Sequence, residues 1–184
     1  MKRNPLFRTA IRMVAGFCLA AAGLTALAAE PPKGLVLYYS FDQTGTDGAV
    51  ADRSGRNNSG RAVGGKWVSY GKQGGGFEFA AGGNHIHVAN SESLKMKQAT
   101  LAVWFRTSMS DPIWRRIIDK NVDQGFGLVI GGDAKGLSSR GRLAFAINGK
   151  LCLSDSVVTD GAWHHGAATF DGENLKIYVD GLPQ

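Results

Sequence analysis

An all-β fold, two antiparallel sheets packed as a sandwich, is what this sequence predicts, and three observations carry it. Apolar and polar residues alternate with period two over short runs: in 175–179, Leu175, Ile177 and Val179 share one side and Lys176 and Tyr178 the other. The 26 glycines cluster between such runs, where turns belong, and are too many for helices. No stretch repeats its apolar residues every 3.6 positions over the length a helix needs.

Taken in order, the chain of 184 residues begins with Lys2, Arg3, Arg8 and Arg12, then an apolar run from Met13 to Leu27, then Ala26-Leu27-Ala28. A basic start, a short apolar run and small residues at the −3 and −1 positions make a secretory signal, with cleavage expected after Ala28. The run is too short to span a bilayer, so no membrane span remains after cleavage and the product is secreted, periplasmic or at the cell surface. Cys18 follows Phe17, where lipidation would want a small residue. Residues 29–33, with Pro31-Pro32, form a short linker, and 34–184 is a single domain with one core.

Strands are expected at 35–41, 76–79, 85–89, 99–107, 116–120, 126–130, 142–147, 162–170 and 175–179. The one helical turn lies at 91–96, with Ser91 as its cap. Asp171-Gly172-Glu173-Asn174 reads as a hairpin turn, so the last two strands pair antiparallel. In the first of them His164, Gly166, Ala168 and Phe170 share one face, and Trp163, His165, Ala167 and Thr169 the other.

Of the formal charge of +6, four positive charges lie in the signal, leaving +2 on the exported chain. Scattered charge of that size gives no footprint for nucleic acid. Arg115, Arg116 and Lys120 read as a solvated strand edge. Cys152, between Leu151 and Leu153, is the only cysteine left after cleavage, and a buried, inert thiol is expected.

The segment 34–42 (GLVLYYSFD) resembles the opening strand of laminin-G-like (LamG) jelly-roll domains in the concanavalin A-like lectin/glucanase superfamily. Residues 50–60 (VADRSGRNNSG) are similar to the Asp-x-Ser-Gly loop of those domains, and 99–106 (ATLAVWFR) to the strand that carries their core Trp. The most specific likeness is Trp163-His164-His165, then Thr169-Phe170-Asp171-Gly172, then Ile177-Tyr178-Val179-Asp180-Gly181. The resemblance spans 34–183 and implies a jelly roll in which Trp104, Trp163, His164, Tyr178, Asp180 and Gly181 are structural. Such domains continue past the Tyr-Val-Asp-Gly turn. The resemblance therefore implies a C-terminally incomplete copy or a fragment of a longer protein, with an open sheet edge through which chains self-associate or take up a partner strand.

Each candidate site has an ordinary reading beside it. His164 and His165 point to opposite faces and cannot converge on one ion, so they read as structural. His85 and His87 share a face, and read as an exposed pair rather than a metal site. Glu30, Glu78, Glu92 and Glu173 stand apart, with no glucanase-like Glu-x-Asp-x-(x)-Glu strand and no Gly-x-Ser-x-Gly elbow, so no enzyme is expected. Asp42, Asp52 and Asn57 are the oxygen donors for a structural Ca2+ of the kind the resemblance implies; the alternative is Asx turns in a Gly-rich loop. For sugar stacking the candidates are Trp114 with Arg115, then Trp67 and Tyr70, each against a packing role; Trp104 and Trp163 are expected in the core. The functional expectation is a non-catalytic module for carbohydrate or an extracellular protein. The alternatives are a fragment of a glycan-active enzyme and a purely structural or adhesion module.

Overall fold

The structure, a computed structural model, describes residues 32–43, 45–121, 125–133 and 138–184; the expected signal at 1–28 lies outside them. Thirteen strands are described: β1 Ala49–Val50, β2 Gly60–Val63, β3 Lys66–Val68, β4 Gly76–Glu78, β5 His85–Val88, β6 Ala99–Arg106, β7 Arg115–Lys120, β8 Phe126–Ile130, β9 Arg142–Ile147, β10 Lys150–Val157, β11 Trp163–Phe170, β12 Leu175–Val179 and β13 Leu182–Pro183. All pairings are antiparallel. One four-stranded sheet runs β10-β9-β8-β7 and a second β13-β12-β11-β6; β1-β2-β5 form a small third sheet and β3-β4 a hairpin. No helix among the described residues is long and apolar enough to cross a membrane.

The core lies between the two four-stranded sheets. Leu128, Leu143, Phe145 and Ile147 enter it from one side, and Leu101, Ala168, Phe170, Ile177 and Val179 from the other. Alternation sets this: the inward residues of β11 are Gly166, Ala168 and Phe170, all buried, and they pair with Val103, Leu101 and Ala99 of β6. Gly166 is required by close approach, because a Cβ there would sit 2.8 Å from Leu143 Cδ2. The β11–β12 turn is built by Asp171, whose Oδ1 accepts the N–H groups of Asn174 (2.7 Å) and Glu173 (2.9 Å). Those bonds, with the Asn174 side chain, pull the Asp171 carboxyl down to about 2.

Three expectations need correction. The 35–41 stretch pairs with no strand among the described residues. Its backbone groups bond instead to the 52–58 loop: Tyr38 N–H donates to Asp52 Oδ1 (2.9 Å), Tyr38 O accepts from Arg53 N–H (2.8 Å), and Val36 O accepts from Asn58 Nδ2 (2.7 Å). Phe41, at φ 57, ends the run. β10 is a strand the alternation did not show. Its pattern breaks at an irregularity between Leu153 and Val157, where buried Ser154 accepts Leu143 N–H (2.9 Å) and donates to Ser156 O (2.7 Å). Ser91 stands at the cap position of the short 3-10 turn Glu92–Leu94, yet its hydroxyl donates to Asn58 Oδ1 (2.7 Å) and makes no cap bond.

Candidate functional site

The outward face of the β6–β11 pair carries the chemistry. Cross-strand register places His165 opposite Trp104 and Trp163 opposite Arg106. These four side chains therefore share one face, two residues apart along each strand. The Trp104 and His165 rings lie 5.1 Å apart. Arg106 Cζ lies 5.2 Å from the Trp163 ring centroid. The loop between β3 and β4 reaches over the same face, where Lys72 Nζ sits 4.7 Å from the Trp104 ring centroid. Tyr70, 58% exposed, lies in that loop; its hydroxyl donates to Glu78 Oε1 (3.0 Å), which raises the phenol, while the Arg106 charge acts in the opposite direction.

Trp104 is thus not in the core, as the sequence suggested, but 38% exposed. An eight-residue strand between two packed sheets has only one inward face, and Leu101, Val103 and Phe105 occupy it. Trp163 is half-buried on the outward side. The available signal was the parity of Trp104 with Arg106 and of Trp163 with His165; a tryptophan's preference for burial hid it.

On the other face stands His164, opposite Phe105. Its side chain is 12% exposed, with Nδ1 2.8 Å from Asp180 Oδ2 and Nε2 3.0 Å from Asp160 Oδ1. Burial alone would lower its pKa, but hydrogen bonds to the two carboxylates prevail and raise it. Asp180 is lowered first by the His165 N–H (2.8 Å to Oδ1) and then by His164. Asp180 (φ 52) and Gly181 (φ 82) make the tight turn into β13, while Tyr178 pairs with Ala167 and Pro183.

The other expected sites are dispersed. Trp114 is half-buried, with Nε1–H donating to Asp133 O at 3.3 Å. Arg115 is held by both carboxylate oxygens of Asp111, which lowers Asp111 and raises the guanidinium. Trp67 is half-buried and donates to Phe41 O (2.8 Å); it walls a shallow open cleft of about 280 Å³ with Phe77, Ala49 and Ala62, at the small end of the range for ligand pockets. Of the four stacking candidates, Tyr70 lies in the β3–β4 loop that carries Lys72 to the outward face. His85 and His87 are an exposed pair, their rings 6.4 Å apart. Cys152 is half-buried, and burial raises its thiol pKa.

The calcium set does not fit a cation. A carboxylate has about four acceptor positions. In Asp52 all are taken: Oδ1 by Tyr38 N–H and Ser54 N–H (2.9 Å each), Oδ2 by Ser54 Oγ–H (2.8 Å) and Asn58 N–H (2.9 Å). Burial opposes ionisation there, and these donors overcome it. Asp42 stands apart, with Oδ1 against Gly74 of the β3–β4 loop, and Asn57 is exposed at φ 60. Among the described residues no three or more His, Cys, Asp or Glu are grouped to hold a metal ion. The residue that organises the loop is buried Asn58, which also donates to Ser93 Oγ (2.8 Å) and whose backbone oxygen accepts Tyr39 O–H (2.6 Å).

With this geometry in hand, comparison with known proteins is informative. The Laminin_G_3 family, described as Concanavalin A-like lectin/glucanases superfamily, matches residues 79–184. The chain belongs to this family. The fold is shared with the crystal structure of the binding domain of Paraclostridial Mosquitocidal Protein 1, at a TM-score of 0.61 and 17% identity, over 81% of this chain and 39% of that one. The chain thus spans well under half of that relative. No curated protein matches it. The LamG-like jelly roll expected from the sequence is therefore its fold.

Proposed function

We propose that this LamG-like chain is an exported, non-catalytic module that recognises carbohydrate on the outward face of β6 and β11. The observation that carries the reading is Trp104, a large apolar ring standing exposed on the sheet, backed by His165 and bordered by the hydrogen-bonding groups of Lys72 and Arg106. A pyranose presents an apolar C–H face and a rim of hydroxyls, and such a site offers a surface for each. Export is supported by the pattern of 1–28 and is checked by N-terminal sequencing of the protein from its producing cell. A glycan array probed with the wild-type chain and with Trp104→Ala tests the ligand class, in calcium and in chelator. Binding lost in Trp104→Ala and indifferent to chelator is expected; no bound glycan, or undiminished binding by Trp104→Ala, sinks the reading.

A second reading rests on β6 itself. It pairs with β11 on one side only among the described residues, leaving an eight-residue edge able to accept a strand from another chain. Sedimentation over a concentration series reports on it: a concentration-independent monomer argues against self-association through that edge.

A further inference from the structure

We infer that His85 and His87 form an exchangeable site for a divalent transition-metal ion, Cu2+ ahead of Zn2+, on the exposed face of β5. The inference is independent of the carbohydrate reading and concerns a different sheet, in which β5 is an edge strand. Positions i and i+2 of a strand project to one side, and both rings stand exposed there with centroids 6.4 Å apart. Ile86 and Val88 take the opposite side, half-buried, and Ile86 packs so closely on Gly60 that a Cβ there would come within 2.6 Å of its Cγ2. A ring nitrogen bound at about 2.0–2.1 Å puts the ring centroid roughly 3 Å from the ion. Two rings sharing one ion therefore have centroids up to roughly 6 Å apart. A small χ rotation of two exposed side chains closes the remaining distance.

The way His85 is held carries the inference. Its Nδ1 lies 2.7 Å from Gly83 O. A carbonyl only accepts, so Nδ1 carries the proton in that bond and the neutral ring keeps its lone pair at Nε2. Metal-binding imidazoles are oriented in this way, by donating the other ring N–H to a carbonyl or carboxylate. A tight turn fixes the carbonyl: Asn84 Oδ1 accepts Ala81 N–H (3.1 Å), Ala81 O accepts Asn84 N–H (3.2 Å), and Gly83 supplies φ 85. His87 makes no hydrogen bond among the described residues, so its ring can turn to meet the ion. The other two histidines offer nothing comparable: both His164 nitrogens face carboxylates, and His165 lies singly against Trp104. Two nitrogens fall short of the three or four protein ligands of a catalytic or structural zinc centre, so water completes the coordination and the ion exchanges. With such ligands Cu2+ binds more tightly than Zn2+. The cross-strand charge on this face is Arg61, paired with His87, and it opposes a bound cation.

Isothermal titration of the full chain, free of any added histidine tag, with Cu2+ and with Zn2+ tests the site. One ion per chain is expected, with Cu2+ the tighter. His85→Gln and His87→Gln are surface changes on an edge strand. Each should weaken binding by about tenfold or more, because losing even a group that only orients a ligand costs that much. The electron paramagnetic resonance spectrum of the Cu2+ form should show two coupled imidazole nitrogens in the wild type and one in either variant. Arg61→Gln should tighten binding by removing a positive charge, and weaker binding there would contradict a cation held at the pair. Undiminished affinity and an unchanged spectrum in His85→Gln and His87→Gln overturn the site, as does the absence of Cu2+ uptake at micromolar concentration. Neither result touches the carbohydrate reading, which is tested on β6 and β11.

Discussion

Two tryptophan–arginine pairs in this molecule look alike in composition and differ in what they can do. Trp114 and Arg115 are neighbours in sequence, yet Arg115 is neutralised by Asp111 and the Trp114 indole N–H is spent on Asp133 O. Trp163 and Arg106 are far apart in sequence and meet only through β-sheet register, and Arg106 retains its donors. A guanidinium is available for recognition when no carboxylate has already claimed it, whatever residue stands next to it in the chain.

The sharpest way to break this comparison is to truncate one ring on each side. Trp104→Ala, beside the free cations, should weaken glycan retention by about thirtyfold or more, the scale of a central aromatic anchor. Trp114→Ala should leave retention within about twofold by the same reasoning. Equal losses would erase the distinction.

The next largest effect separates the two histidines of β11. His164→Ala removes hydrogen bonds to Asp180 and Asp160 from an enclosed side chain and should cost about 1–3 kcal/mol of stability, read from denaturant midpoints, with retention unchanged. His165→Ala should reverse the pattern, weakening retention while the midpoint moves little. Loss of binding by His164→Ala at an unchanged midpoint would contradict the assignment of faces.

A smaller effect is the pH dependence of that cluster. With its folded pKa raised, His164 contributes fully below its unfolded value of about 6.5, and the contribution fades as pH rises through the higher folded value. Asp180 and Asp160, both lowered, contribute above about 3.9 and fade as pH falls through their lower folded values. The cluster therefore stabilises most between about pH 4 and pH 6.5. His164→Gln should flatten the alkaline limb of a midpoint-against-pH curve; an unchanged limb would mean that another group sets it.

The smallest effect is expected from Arg115→Gln. Its ion pair with Asp111 lies at the surface, and both stability and retention should stay within experimental scatter. A clear loss of retention would return the 111–116 segment to consideration as a binding site.

Much of this was legible in the sequence. The limits of β8, β9 and β12 match the expected runs residue for residue, and the Asp171 turn follows from its chemistry. The partition of His164 and His165 follows from parity alone. What escaped depends on neighbours remote in sequence. The 35–41 stretch alternates like a strand, but its backbone bonds to side-chain and backbone groups of the 52–58 loop rather than to a strand. β10 is broken in pattern because Ser154 replaces a ladder contact with its hydroxyl. Trp104 was placed in the core by residue type, whereas exposure is decided by which face the opposing sheet covers. The attraction of the Asp42, Asp52 and Asn57 set lay in counting oxygens; N–H groups and the Ser54 hydroxyl already fill Asp52.

The β11–β12 hairpin is fastened at both ends by carboxylates. Asp171 gathers the N–H groups of the connecting turn, and Asp180 reaches from the far end of β12 to His165 N–H and His164. A hairpin held only at its turn frays from the open end, so its amides exchange with solvent deuterium in a gradient along the strands. One held at both ends has no loose end from which to unzip. The amides from His165 to Val179 that face a partner strand should then exchange through a single shared opening, with similar protection from one end to the other. Asp180→Asn, which keeps an acceptor for His165 and removes the charge facing His164, should restore the gradient at that end alone.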